Sequence, residues 1–217
     1  MKASNSLVLA LSLAGSCFLM PSRQAATPED SLLVETSAGQ RERVANARVE
    51  VGRAKDALAA SQHHHQQARD AKVDATQRRD AANLQVQQAT AAVADRERTG
   101  TTPDLEAARE RLLSATSKHG IEDARCNLRD RQVARAASHV MVTQAGLDVA
   151  VARLDLAKVV AVNSLDRPDV QKPDVAVFEA SVRRAEGDEE IARAGLVAAE
   201  REVEVSRQLL SSRENGN

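Results

Sequence analysis

Aromatic residues are nearly absent from this 217-residue chain, which contains no Trp, no Tyr and two Phe, Phe18 and Phe178. Aromatic side chains bury the largest areas in ordinary globular cores. A core made without them has to come from smaller aliphatic side chains, and the apolar residues here are mainly Ala, Val and Leu. This composition argues against a compact globular domain and is typical of long helices and coiled coils.

Other features that would mark a function class are also missing. Basic and acidic residues are balanced at 30 and 31, so the chain lacks the basic stripe with interleaved aromatics expected of a nucleic-acid-binding protein. The sequence contains no Ser-His-Asp grouping, Gly-rich phosphate loop, HExxH or CxxC motif. We therefore expect no nucleic acid as a partner, and we expect that the protein is not an enzyme.

The first 16 residues have the features of a secretory signal peptide. A Lys precedes a short apolar run from Leu7 to Ala14, which small residues follow. The run is too short to span a bilayer as a helix. We therefore expect export. The signal could be cleaved after Ser16 by an ordinary signal peptidase, or it could stay uncleaved as an anchor. These are the alternatives to lipidation of Cys17, the next residue.

The residues Ala14-Gly15-Ser16-Cys17 resemble the lipobox of bacterial lipoproteins. In that family the signal peptide is cut just before the Cys, which is then acylated. The resemblance implies that Cys17 carries a covalent lipid that anchors the protein in a membrane. In that family an Asp directly after the Cys favours retention at the inner membrane, and this chain has Phe18 there. The resemblance therefore also implies that the protein is located at the periplasmic face of the outer membrane.

Helix start and stop signals divide the rest of the chain. Thr27-Pro28-Glu29-Asp30 and Thr102-Pro103-Asp104 combine an N-cap residue, an early Pro and acidic residues. Gly100 interrupts the chain before the second start, and Pro168 and Pro173 interrupt it again. We predict helices over 28–98, 103–163 and 174–213, with a turn at 99–102 and a linker at 164–173. Residues 17–27 are interpreted as anchor and linker, and 214–217 as a disordered tail.

A heptad pattern with a larger residue at position a and Ala at position d runs through all three predicted helices. It begins at Leu105 and Ala108 in the second helix and at Val175 and Phe178 in the third. In the first helix the a-positions are Val44, Val51, Leu58, His65, Lys72, Arg79, Val86 and Val93, and the d-positions are Ala47, Ala54, Ser61, Ala68, Ala75, Ala82 and Ala89. Ala at d lets two helices approach closely, so we expect paired helices.

The short turn predicts that the first two helices are antiparallel neighbours, together forming a hairpin. If the turn is centred between Gly100 and Thr101, facing residues have numbers that add up to about 201. This register predicts three polar contacts across the hairpin: Arg79 with Glu122, Arg69 with Asp130, and Glu50 with Arg153. It also places Lys72 against Arg129, near Asp130.

The third helix is long enough to cover only the lower half of the hairpin. We therefore predict an all-α fold: a long antiparallel coiled-coil hairpin with a third, shorter helix packed on its base. A bare two-helix tip centred on Gly100 would point away from the anchor at Cys17.

Histidines give the one candidate metal site. His64 and His139 fall on the same flank of the predicted hairpin at nearly the same height. Two imidazoles completed by Gln or water could hold zinc or nickel. The alternative is that these histidines are solvated or partly packed side chains with no ligand.

Residues 144–158 are similar to the periplasmic coiled-coil hairpins of outer-membrane efflux channels and of membrane-fusion adaptors. The resemblance implies a hairpin that contacts another envelope component. We expect a lipid-anchored structural or adaptor protein of the cell envelope, with an unidentified envelope protein or a second copy of the chain as partner. The alternative is a periplasmic module that binds a metal or small ligand at the polar middle of the hairpin.

Overall fold

The computed structural model describes Pro28 and residues 30–216, and this part of the chain is all-α, as predicted. Its helices are α1 (Asp30–Leu33), α2 (Ala38–Thr99), α3 (Thr102–Asn163) and α4 (Val175–Asn215). At 1.5 Å per residue, α2 and α3 are each about 93 Å long. The predicted signal peptide, the predicted lipidation site Cys17 and the segment up to residue 27 lie outside the described residues.

The predicted start of the first long helix is wrong, because a break separates α1 from α2. Ser37 is the N-cap of α2, and its hydroxyl accepts a hydrogen bond from the Gln40 backbone N–H at 3.3 Å. The Thr36 hydroxyl donates to the Leu33 carbonyl at 2.7 Å and closes the end of α1. Side chains that cap a new helix compete with continuation of the old one.

The turn between α2 and α3 is as short as predicted. The Gly100 N–H donates to the Arg96 carbonyl at 2.9 Å and ends α2. The N-cap of α3 is Thr101, one residue before the predicted cap at Thr102. Asp104 accepts hydrogen bonds from the Thr101 backbone N–H and hydroxyl at 3.3 and 2.8 Å, and these bonds lower the pKa of the Asp104 carboxyl.

The heptad pattern predicts which face of α2 is covered. Every predicted a and d residue from Val44 to Val93 is buried or half-buried, whereas most other residues of α2 are exposed. Ala75 and Ala82, both at d, are only 2% exposed. We call this line of a and d residues between α2 and α3 the seam. It confirms that α2 and α3 form a coiled-coil hairpin.

The predicted register is displaced by about one to three residues. Ser61 contacts Thr143 through hydroxyl oxygens 2.7 Å apart, whereas the predicted register places Ser61 level with Val140. Thr76 lies 3.6 Å from the Cys126 sulfur, one residue beyond the predicted position. The buried Ser61 hydroxyl and the half-buried Thr143 hydroxyl give each other a polar partner across the seam. This favours the observed register over one in which each would face an apolar side chain.

The third helix of the prediction is α4, and it packs antiparallel on α3. Phe178 and Val203 are its most buried residues, at d and a of the predicted heptads. The helix continues to Asn215 because Glu214 forms an ion pair with Arg125 of α3 at 2.7 Å, so part of the predicted tail is helical. Since α3 packs against both α2 and α4, it is the central helix of the fold.

The best-buried apolar cluster lies at the end of the hairpin opposite the turn, which we call the base. It joins Leu33 of α1, Val44 of α2 and three residues around the end of α3, Ala161, Val162 and Leu165. Asp30 adds ion pairs to Arg48 at 2.8 Å and Lys158 at 3.0 Å, and the hydrogen bond from Lys158 lowers the pKa of the Asp30 carboxyl. The described chain therefore enters the fold at the base.

Candidate functional site

The hairpin extends beyond the end of α4 as a bare two-helix segment. The Arg213 guanidinium near the end of α4 donates to the Gly120 carbonyl at 2.7 Å, which fixes where α4 stops along α3. The part of α3 from residue 102 to 119, with the facing part of α2, lies beyond that point and is about 27 Å long. We call it the tip. The predicted two-helix tip is therefore present. The prediction that the third helix covers only the lower half of the hairpin is wrong, because α4 reaches Gly120 and runs along about two thirds of α3.

Surface aliphatic side chains make the tip a candidate contact surface. Leu113 is 72% exposed and Leu84 is 53% exposed. The tip is held together by its own seam, in which Ala108 is buried, and by an ion pair between Arg109 and Glu97 at 3.3 Å. Exposed Leu side chains on a helix pair of this kind can be covered by another helical surface.

The middle of the seam is polar, as predicted, but its partners differ from the predicted pairs. Arg79 bonds to Asp80 on its own helix and lies 3.8 Å from the Cys126 sulfur, rather than pairing with Glu122. Glu122 is 8% exposed and pairs with Arg125 on its own helix at 2.7 Å. Its second oxygen, Oε2, is buried and has no hydrogen-bond partner in the described part of the chain. Such an oxygen costs stability, so this level is a weak point of the seam.

The other two predicted pairs are also replaced. Asp130 pairs with Lys72 at 2.5 Å instead of with Arg69. The hydrogen bond that Lys72 donates to Asp130 raises the pKa of the Lys72 ammonium. Arg153 pairs with Glu186 of α4 at 2.8 Å instead of with Glu50. Asp130 thereby relieves the predicted repulsion between Lys72 and Arg129, whose guanidinium bonds to Gln132 at 2.7 Å.

The predicted histidine pair lies in one groove, where α2, α3 and α4 meet. Its volume is about 390 Å³, and it is lined by Ser61, His64 and Ala68 of α2, Gln132, Arg135, Ala136 and His139 of α3, and Val203 and Arg207 of α4. We call it the basic groove. The prediction that His64 and His139 share a flank agrees with this arrangement, whereas metal binding itself stays a prediction. Across the described residues, no three or more His, Cys, Asp or Glu side chains are grouped so that they could hold a metal ion.

Sequence reasoning missed Gln132, Arg135 and Arg207, because it assigned no register between α4 and α3. A signal for that register is present in the sequence. Arg side chains of α3 meet Glu side chains of α4 in order along the two antiparallel helices, giving the pairs Arg125–Glu214, Arg131–Glu202, Arg135–Glu200 and Arg153–Glu186. Matching these charges would have placed α4 and shown that it supplies a wall of the groove.

Comparison with known proteins supplies no relative from which a function could be carried over. No protein-family model matches the chain, and searches of curated proteins and of solved structures give no match. Within residues 30–216, no helix is both long enough and apolar enough to cross a membrane.

Proposed function

We propose that the protein is a lipid-anchored structural or adaptor protein of the bacterial cell envelope that presents its hairpin tip to another protein. The observation that carries this proposal is the tip itself, a two-helix segment beyond α4 with Leu113 and Leu84 exposed. Two helices that no third helix covers offer an elongated surface on which a partner helix can pack. The partner would be an envelope protein with a helical surface, or a second copy of this chain.

The direction of the hairpin supports the proposal. Asp30 is held at the base by Arg48 and Lys158, so the described helices begin at that end. If Cys17 is lipidated as the lipobox resemblance implies, the membrane lies on the side of the base. The tip would then be held about 93 Å away along the hairpin. Several acyl chains on one Cys would give stable attachment where a single chain does not.

Three equally exposed aliphatic positions allow a matched test of the tip. Leu113 on the tip, Val34 at the base and Ile191 on α4 are 72%, 74% and 73% exposed. A photo-crosslinking amino acid would be placed at each position in turn, and the protein crosslinked in intact bacterial envelopes. We expect a discrete product with another protein from position 113 and none from position 191.

Equal products from all three positions, or none from position 113, would show that the tip is not the contact surface. A product of twice the mass of the chain would identify self-association. The anchor is tested separately by Cys17→Ser, which should abolish incorporation of a labelled fatty acid and release the protein from the membrane fraction. Retention of both would mean that the protein is attached by another route.

A second candidate function, a module that binds a small ligand, is supported by the basic groove. Residues from three helices line it, and its volume lies within the range of small-molecule sites. Two imidazoles provide fewer ligands than the four that zinc takes in most sites. Among the described lining residues none is an Asp, Glu or Cys that could add a ligand, so the groove favours a different ligand from the predicted zinc or nickel.

A further inference from the structure

The basic groove is built from all three long helices. The side chains of α3 form its floor, while α2 and α4 supply the two walls. Ala68, Ala136 and Val203 give it an apolar surface, which we call the apolar patch. A site with a few polar groups around an apolar surface is the usual form of a small-molecule pocket.

The charged groups of the groove are basic. Arg135 and Arg207 line it together with His64 and His139, and among the described lining residues none is acidic. The acidic partners of the two arginines, Glu200 and Glu204, both lie on α4 and outside the lining. Each of these carboxylates balances the charge of one guanidinium but leaves other N–H groups of that guanidinium unused.

Several hydrogen-bond donors of the groove have no partner within the described chain. Arg135 bonds to Glu200 through Nε and Nη2, which leaves Nη1, and Arg207 bonds to Glu204 through Nη1 alone. The Gln132 carbonyl oxygen accepts from Arg129, so its amide N–H groups remain available. His64 donates through Nδ1 to the Gln67 side-chain carbonyl oxygen at 3.2 Å, so Nε2 of the neutral ring is an acceptor and not one of these donors. The unused donors of Gln132 and Arg135 on α3 and of Arg207 on α4 belong to residues that line the same groove.

We propose that the basic groove binds a small organic anion through a phosphate or carboxylate group. The planar fork of a guanidinium fits either oxyanion, and such charge-assisted bonds are stronger than neutral ones. The remainder of the ligand would lie on the apolar patch. This inference specifies the small-ligand function and is independent of any role of the tip.

The five histidines of the chain provide a test with an internal reference. The full-length protein, labelled with ¹⁵N in its histidine rings, would be titrated with inorganic phosphate and, in a separate sample, with succinate, at constant pH and ionic strength. We expect saturable shifts of the His64 and His139 signals, while His65 and His119 stay in place. His63 is not used as a reference, because it bonds to the same Gln67 side chain as His64. The probe that binds more tightly distinguishes a phosphate ligand from a carboxylate ligand.

Arg131 is the matched control for Arg135. Both extend from α3 to a Glu of α4, at 2.8 Å for Arg131 and 3.3 Å for Arg135, but only Arg135 lines the groove. Arg135→Gln should weaken binding by about tenfold, because it removes one charge-assisted contact. Arg131→Gln removes a similar ion pair and should change binding less than twofold.

Three results would overturn the proposal. The first is that neither anion produces a saturable shift. The second is that all five histidines shift together. The third is that both arginine variants weaken binding equally, as expected for a general effect of surface charge. A zinc titration separates the remaining alternative. Micromolar zinc binding at His64 and His139 without anion binding would assign the groove to a metal. Because these signals report on the groove alone, their failure leaves the crosslinking result at the tip unaffected.

Discussion

Replacing Ala75 by Leu tests whether the hairpin depends on a closely packed seam. Ala75 occupies a d-position of α2 and is 2% exposed, so an added side chain has no route to solvent. The small side chain lets α2 and α3 approach closely, since the distance between packed helices depends on the side chains at their contact. Leu would introduce three further carbon atoms at that point.

The expected cost follows from the lack of space. Adding carbon atoms to a well-packed core costs about 1–3 kcal/mol, because side chains leave their preferred rotamers or the helices separate. For a chain of this size, that cost corresponds to a fall in the unfolding midpoint of about 2–12 °C. Ala81 is exposed on the same helix, and Ala81→Leu should have little effect because Ala and Leu are both strong helix formers.

Thermal unfolding followed by circular dichroism, supported by urea titration, would compare the two variants with the unmodified protein. Both variants make the same chemical change six residues apart, so their difference isolates burial in the seam. If Ala75→Leu unfolds at the same temperature as Ala81→Leu, the two helices are not in close contact at this level. The seam would then not be closely packed at Ala75.

Other substitutions test the turn, the base and a half-buried carboxyl. Gly100→Ala should destabilise the protein at the turn, because an added Cβ would lie 2.8 Å from the Arg96 backbone oxygen. Gly52→Ala should stabilise it by about 0.5–1 kcal/mol, because the space around Gly52 is free. Urea unfolding in which the Gly100 variant is the more stable of the two would contradict this. Leu33→Ala should destabilise the base by about 2–5 kcal/mol, whereas Val34→Ala, at an exposed position, should cost less than about 0.5 kcal/mol. The measurement is the rate of protease cleavage before α2. Equal cleavage of both variants would show that the apolar cluster does not hold α1. Burial raises the pKa of the Asp155 carboxyl above its usual 3.8. The folded state therefore binds this proton more readily than the unfolded state does. The contribution of Asp155 to the free energy of unfolding falls as the pH rises above about 4. Asp155→Asn should therefore raise the unfolding midpoint at pH 7 and have no such effect near pH 3; an equal gain at both pH values would exclude ionisation as the cause.

The long-range pattern of the fold could be predicted from the sequence because it repeats. Side chains at a and d recur through each helix, so many weak signals support one assignment, and the burial of α2 follows it from Val44 to Val93. The break before α2 depends on a single local signal. Ser37 and Gln40 have the spacing of a capping box, but the Pro28 segment, which has the stronger start signal, lies only nine residues earlier.

The polar contacts were harder to predict than the helices. A shift of one residue turns a side chain by about 100° around a helix, so a small error in register replaces every charged partner. Arg79 and Asp130 illustrate this, because each lies at the polar middle of the seam but bonds to a residue other than the predicted one. The groove also depends on α4, and neither His64 nor His139 gives any indication of where that helix lies.

The alanine seam has a further consequence for the response of the protein to temperature. The heat capacity of unfolding rises with the apolar area that becomes exposed. Residues such as Ala75 and Ala82 contribute little of that area although they are almost completely buried. We therefore expect a heat-capacity change per residue below the usual 12–15 cal/mol/K of globular proteins. A flatter stability curve follows, with stability varying less between cold and warm conditions than in a globular protein of the same mass.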